Sequence, residues 1–207
     1  MSIETWLAFT AATAVLLVIP GPTILLVVSY ALGQGMRTAL PVAVGVALGD
    51  FTAMTLSMLG LAALLATSSL LFTGLKWAGA LYLVWLGIEL WRAGATRDAV
   101  PIHAPAPAPR MLGHAWLVTA LNPKSLTFFV AFLPQFIDNS AAFWPQMLIF
   151  EATFVSLAFA NAAAYGLVAS RARRLIASPR VIAAVNRLGG TLLIGAGIAA
   201  VSVRGSQ

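Results

Sequence analysis

The sequence predicts an all-α integral membrane protein with six transmembrane helices arranged as a 3+3 inverted repeat. Its 207 residues are 60% hydrophobic and only 9% charged, whereas a soluble domain carries about 25% charged residues. Six apolar segments reach the roughly 20 residues that a helix needs to cross a bilayer. In addition, proline motifs interrupt the first and fourth of these segments at matching places.

The predicted spans fall into two groups of three. A segment between the third and fourth spans, residues 94–110, alternates proline with alanine at Pro101, Pro105, Pro107 and Pro109. Such a composition predicts an extended cytoplasmic linker. The linker separates a first repeat, residues 1–93, from a second, residues 111–207. In order, the spans are 6–32, 39–66, 70–91, 112–137, 143–169 and 184–203.

The arginines predict the orientation in the membrane. They cluster after the first, third and fifth spans, as in Arg37, Arg110 and Arg171. The positive-inside rule then places both termini outside and these loops in the cytoplasm. It also accounts for the net charge of +6 without a nucleic-acid partner. A five-span arrangement with the first segment half inserted is the alternative, but it disturbs this pattern. Because no Lys or Arg precedes Arg37, the first segment is not expected to be a cleaved signal peptide.

The first span contains the motif Pro20-Gly21-Pro22 at its midpoint. Each proline lacks an N–H, so the carbonyls of Leu16 and Val18 lose their helical partners, and an interior proline costs about 3 kcal/mol. In hydrocarbon, such groups are tolerated only where protein or a wet cavity receives them. A second break, Asn122-Pro123-Lys124, interrupts the fourth span. Two breaks at membrane depth indicate a transporter with a polar binding site.

The two halves match in spacing as well as in motif. Pro22 and Asp50 are 28 residues apart, and so are Pro123 and Glu151. The pattern Gly79-x3-Leu83-x3-Gly87 in the third span also recurs as Gly189-x3-Leu193-x3-Gly197 in the sixth. Because each half has an odd number of spans, the second half enters from the opposite side.

Four polar residues within the spans are candidates for function. A carboxylate near the bilayer centre costs roughly 2.5–3.5 kcal/mol, so Asp50 and Glu151 are expected to face the interior and carry the coupling proton. The alternative for each acid is a headgroup position, and Asp50 is the stronger candidate. Lys124 is expected to pair with Asp50, Glu151 or a substrate carboxylate, or else to snorkel to the interface. Asn161 is expected to bond either into the cavity or between helices.

Other classes of site lack support in the sequence. The chain has no cysteine, and its two histidines, His103 and His114, are too far apart in the pattern to suggest a metal pair. It contains no Ser/His/Asp set and no phosphate-binding glycine loop. We therefore expect neither an enzyme nor a bound cofactor or metal. A metal-ion exporter of the same architecture and a small-solute channel remain alternatives.

The ordered motifs resemble the LysE/RhtB family of amino-acid exporters over nearly the whole chain. They are Ile19-Pro20-Gly21-Pro22, Gly45-Val46-Ala47-Leu48-Gly49-Asp50, Leu121-Asn122-Pro123-Lys124 and Phe132-Leu133-Pro134-Gln135-Phe136. The resemblance implies proton-driven efflux of amino acids across a bacterial inner membrane. It carries functional roles to the two proline motifs and to Asp50, but lends less support to Glu151. Thr23 stands where many homoserine/threonine-type members have Asn, so the substrate is expected to differ from theirs.

These observations predict how the substrate is held. The carbonyls of Leu16, Val18 and Thr119 are expected to accept from its ammonium. The half-helices that begin near Thr23 and Ser125 are expected to attract its carboxylate. The predicted partners are thus an amino acid, protons and the lipid bilayer, and the helix faces rich in small residues are compatible with a homodimer.

Overall fold

The computed structural model describes residues 1–67, 106–138 and 140–171, together with positions 74, 77, 81, 84, 85, 88, 91, 92, 187, 191, 194 and 195. Within these residues every regular element is helical, which agrees with the predicted all-α class. The helices are α1 (Ile3–Val18), α2 (Pro22–Gln34), α3 (Ala39–Thr67), α4 (Ala108–Ala120), α5 (Pro123–Thr127) and α6 (Phe143–Arg171). A 3-10 turn, Gly35–Thr38, joins α2 to α3, and a π turn (Phe128–Phe132) and a second 3-10 turn (Leu133–Phe136) follow α5.

The helices coincide with four of the six predicted spans. Helices α1 and α2 cover the first, α3 the second, α4 and α5 with their turns the fourth, and α6 the fifth. The third and sixth spans, with their repeated glycine pattern, lie outside the described residues except at isolated positions. Helix α4 begins earlier than its predicted span, because Pro109 lies in its first turn, where the missing N–H has no intrahelical partner to lose.

Length and composition make the described helices suitable for a membrane. Two continuous stretches are long and apolar enough to cross, Pro22–Gly60 and Phe143–Arg171. A third candidate is Ala108–Ala120 with Pro123–Phe136, two segments bent by 42° at their junction. Large apolar side chains also cover the outer faces, including Leu7, Leu40, Leu56 and Leu148. This outer surface suits a protein embedded in lipid.

A cluster of buried phenylalanines joins α1 to the second half of the chain. The rings of Phe9 and Phe150 lie 4.5 Å apart between centroids, and those of Phe129 and Phe154 lie 4.7 Å apart. Phe128 contacts both Phe9 and Phe154. Such ring pairs contribute about 0.5–1.5 kcal/mol each beyond the area they bury. The cluster therefore holds α1 against α6 and the π turn.

The end of α2, the start of α4 and the end of α6 meet at one end of the bundle. The Tyr30 hydroxyl and His114 Nδ1 form a 3.0 Å hydrogen bond between α2 and α4. Ala169 of α6 packs in one apolar cluster with Ala31 of α2. Arg37, Arg110 and Arg171 therefore lie towards the same end of the bundle.

Two glycines allow α3 to pack closely against α4. A Cβ added at Gly49 would lie 2.6 Å from the Thr119 Cβ and 2.7 Å from the Trp116 carbonyl oxygen. One added at Gly45 would collide with the Leu112 carbonyl. Small residues at such crossings let helix backbones approach in membranes. Gly45 and Gly49 thus form a close helix contact, and it positions the neighbouring Asp50.

We expect Gly49→Ala to destabilise the protein because its methyl group would push α3 away from the α4 backbone. Overpacking of this kind costs roughly 1–3 kcal/mol. The matched control is Gly60→Ala in the same helix, where nothing lies within 4 Å of the added Cβ and alanine favours the helix by up to about 1 kcal/mol. Unfolding in mixed detergent micelles measures both. Equal stability of the two variants would contradict the predicted crossing.

Candidate functional site

The first proline motif separates α1 from α2 by an extended stretch of backbone. Helix α1 ends at Val18, and Ile19 has φ −69° and ψ 119°. Gly21 is also extended, and Pro22 opens α2, a position where its fixed φ favours the helix. Since Pro20 and Pro22 have no N–H, Leu16 and Val18 need hydrogen-bond donors from elsewhere.

Side chains from the second half supply those donors. Lys124 is the central one, because its ammonium bonds two carbonyls of the last turn at once. Asn161 and Tyr165 of α6 donate to the two carbonyls that lie between Leu16 and Ile19 in the chain. The four bonds run from Lys124 Nζ to Leu16 O (3.0 Å) and Ile19 O (2.8 Å), from Asn161 Nδ2 to Leu17 O (2.9 Å), and from the Tyr165 hydroxyl to Val18 O (2.7 Å).

The charge of Lys124 matches its position at the end of α1. The carbonyl end of a helix carries a partial negative charge, which a cation stabilises. Hydrogen bonds from an ammonium are also stronger than those between neutral groups. The side chain runs beside the break, since a Cβ added at Gly21 would lie 3.5 Å from both Cε and Nζ of Lys124.

The second break differs from the first because its own backbone closes it. The Leu121 N–H bonds the Leu117 carbonyl (3.1 Å), and the Asn122 N–H bonds the Thr119 carbonyl (3.0 Å). The Asn122 side chain then caps α5 by accepting from the Lys124 backbone N–H at 3.1 Å. The second break is therefore a tight turn, whereas the first is an open gap filled by side chains.

The two breaks are in direct contact. The Thr23 hydroxyl accepts two hydrogen bonds, from Asn122 Nδ2 at 2.9 Å and from the Thr119 hydroxyl at 3.3 Å. All three side chains are buried. Thr23 follows Pro22 directly, so this polar cluster connects the start of α2 to the turn between α4 and α5.

Asp50 lies beside the second break. It is 2% exposed, and both Lys124 and Ser125 are close enough to interact with its carboxylate. Its Oδ1 is buried and, within the described part of the chain, has no hydrogen-bond partner. The close crossing at Gly49 carries this carboxylate into the same region as Lys124.

Glu151 is buried but lies apart from the breaks. It accepts a 2.5 Å hydrogen bond from the Thr55 hydroxyl of α3. Along α6 it precedes Asn161, which contacts the first break, by ten residues, or about 15 Å of helix. The repeat spacing suggested that Glu151 would mirror Asp50, but the structure does not bring it to the proline motifs.

Some contacts differ from those that the sequence suggested. The carbonyls of Leu16, Val18 and Thr119 were expected to be available to a substrate, yet all three already accept protein hydrogen bonds. Sequence reasoning also left Tyr165 out of the site. Its spacing four residues after Asn161 could have indicated a shared helix face, whereas nothing in the sequence pointed to Thr55.

The arrangement is suited to binding rather than to covalent chemistry. It combines polarised carbonyls, an ammonium and a carboxylate in one buried region. Among the residues that the structure describes, no group of three or more His, Cys, Asp or Glu side chains could hold a metal ion.

We expect Tyr165→Phe to lower the free energy of unfolding by about 0.5–1.5 kcal/mol, because the Val18 carbonyl, which Pro22 already deprives of a helical donor, loses its hydrogen bond from the Tyr165 hydroxyl. The matched control is Thr10→Val on α1. The Thr10 hydroxyl bonds the Trp6 carbonyl at 2.8 Å, and that carbonyl lies within the helix and keeps its backbone partner. Detergent unfolding compares the two. A loss in Thr10→Val as large as that in Tyr165→Phe would contradict a special role for the break.

Comparison with known proteins gives a consistent assignment. A family model described as LysE type translocator matches residues 14–203. An uncharacterized membrane protein of Vibrio cholerae is 36% identical over 96% of this chain and 97% of its own length. A homoserine/homoserine lactone efflux protein of Salmonella typhimurium is 31% identical over 99% of each chain.

A further relative covers about two thirds of the sequence. It is a leucine efflux protein of an Enterobacter species, 34% identical over 69% of this chain and 68% of its own length. No solved structure matches the chain. The match to the family model nevertheless extends over most of the sequence and agrees with the resemblance in its proline motifs. The chain belongs to the LysE type translocator family.

Proposed function

We propose that this protein exports an amino acid or a close derivative from the cytoplasm in exchange for protons. It would do so as a six-span protein of a bacterial inner membrane with both termini outside. The observation that carries the proposal is the first break, where three residues separate the carbonyl end of α1 from the amide end of α2. The two proline motifs would interrupt single spans and form the substrate site between them.

The two helix ends at the break match the two charges of an amino acid. The carbonyl end of α1 attracts a cation such as the α-ammonium group, and the amide end of α2 attracts a carboxylate. Within the described residues no side chain caps the first turn of α2. A zwitterion is therefore the ligand that satisfies both ends at once.

The polar cluster around Thr23 would contact the rest of the substrate. Thr23, Thr119 and Asn122 offer hydroxyl and amide groups close to the start of α2. The relatives carry names that refer to homoserine and leucine, two amino acids of small to moderate size with a hydroxyl and an aliphatic side chain respectively. These two amino acids are the first probes to use for this protein.

Asp50 would carry the coupling proton. It is a buried acid beside the break, and Lys124 is the charged residue that acts on it most directly. Buried acids within the spans of pumps and transporters commonly act as proton carriers. Glu151 lies further away and bonds to Thr55, so we assign it a secondary role in proton transfer.

We expect everted membrane vesicles that contain the protein to accumulate L-homoserine or L-leucine when their interior is made acidic. Acid inside these vesicles corresponds to the periplasmic side, so outward proton movement would drive uptake of the amino acid. Radiolabelled uptake measures this, with vesicles lacking the protein as control. Uptake that is unaffected by collapsing the proton gradient would instead indicate a channel, and cobalt or cadmium resistance without amino-acid uptake would indicate a metal exporter.

We expect Asp50→Asn to abolish gradient-driven accumulation, because the amide cannot release a proton. Asp138→Asn is the matched control. Hydrogen bonds from the Ser140 side chain and backbone hold the pKa of Asp138, which lies in the loop before α6, below its ordinary value. Asp138 therefore stays ionised at the pH of the assay and carries no proton. Accumulation by Asp50→Asn at the rate of Asp138→Asn would refute the coupling role.

A further inference from the structure

We infer that Lys124 is a built-in competitor of the transported molecule. Its ammonium lies at the end of α1, in the position where the substrate ammonium would bind. The ammonium moves from there to Asp50 when the Asp50 carboxylate is ionised. The inference rests on the proposed function, which it deepens by naming the residue that couples proton binding to substrate binding.

The first argument concerns the two carbonyls that Lys124 occupies at the end of α1. Lys124 Nζ bonds the Leu16 and Ile19 carbonyls at 3.0 and 2.8 Å. A lysine ammonium and the α-ammonium of an amino acid have the same charge and the same three donors. Both would bind at the same two carbonyls, where two ammonium groups repel each other, so they compete for this position.

The second argument is that the Asp50 carboxylate offers the same ammonium an alternative binding position. Asp50 interacts electrostatically with Lys124, and its buried Oδ1 is without a partner in the described part of the chain. Ser125 also faces this carboxylate from α5. Thr119 and Trp116 of α4 pack at the adjacent Gly49 and carry no charge. On α6, the acid Glu151 accepts a hydrogen bond from Thr55. Lys124 is the cation that acts on Asp50 among the described residues.

The third argument is that the protonation state of Asp50 determines whether the Lys124 ammonium binds the α1 carbonyls or the Asp50 carboxylate. A neutral carboxyl attracts Lys124 weakly, so the ammonium then stays on the Leu16 and Ile19 carbonyls, which is the position seen in this structure. A buried, ionised carboxylate whose Oδ1 has no hydrogen bond and whose described hydrogen-bonding neighbour is the neutral Ser125 hydroxyl is unfavourable, so it draws the ammonium towards it. The four-carbon stem of lysine is flexible and its donors rotate, which permits this movement while Pro123 keeps the backbone in place.

Exchange follows from this competition. In the inward-facing state, loss of the proton moves Lys124 to Asp50 and frees the Leu16 and Ile19 carbonyls for the substrate. In the outward-facing state, protonation of Asp50 returns Lys124 to the carbonyls and displaces the substrate. One proton then enters for each zwitterion that leaves, because the two cannot be held at the same time.

The position of Lys124 can be observed directly, without any substrate. The sequence has two lysines, Lys76 and Lys124, so Lys76→Arg leaves Lys124 as the single site for lysine labelled with ¹³C at Cε and ¹⁵N at Nζ. In nanodiscs we expect its resonances to move between two positions as pH rises, and Asp50→Asn to hold them at the acid position. Movement of the same size in Asp50→Asn, or no movement in the parent, would overturn the inference.

Binding of L-homoserine and L-leucine provides a second measurement. We expect Asp50→Asn, with Lys124 fixed on α1, to weaken binding of the transported probe by at least about tenfold. The reason is that fewer molecules then have their Leu16 and Ile19 carbonyls free to bind it. Adding Lys124→Met should restore binding and make it independent of pH. A double variant that binds as weakly as Asp50→Asn would overturn the inference. If the parent protein takes up neither probe, the proposed function fails for those amino acids, and the lysine resonances still decide the role of Lys124.

Discussion

The arrangement of the whole site depends on the carbonyl end of α1, which has lost its backbone donors. Pro20 and Pro22 remove the N–H groups that Leu16 and Val18 would use, and hydrocarbon offers no water to replace them. The donors therefore come from α5 and α6, through Lys124, Asn161 and Tyr165. This requirement fixes the second half of the chain against the first and brings a cation to a helix end.

The two breaks share a proline motif but have different roles, and the difference has a local cause. At the second break, Leu121 and Asn122 keep their N–H groups and turn back to the last turn of α4. At the first break, prolines on both sides of Gly21 prevent such a turn. The second break is thus a rigid support that presents Asn122 and Lys124, while the first is the gap that receives them. Two similar proline motifs can therefore adopt different local structures and still contact each other.

The sequence predicts the components of this site better than their contacts. The proline motifs, the burial of Asp50 and the close crossing at Gly49 follow from the cost of polar groups in hydrocarbon and from the size of glycine. The pairing of Lys124 with α1 does not, because it depends on how the helices cross. Glu151 illustrates the limit, since equal spacing fixes its position along α6 but not the rotation or offset of α6 against α1.

A carrier that returns empty must also satisfy its binding site without the substrate. Bare carbonyls at the end of α1 would destabilise the empty state, because each unsatisfied buried group costs several kcal/mol in a membrane. An ammonium that belongs to the protein removes this cost, and it does so with the same chemistry as the molecule it replaces. The tethered cation must nevertheless leave without creating an unpaired charge, which requires a nearby acid. In the mechanism that we propose, Lys124 and Asp50 would meet both requirements, which gives a reason for the two breaks and a buried carboxylate to lie close together.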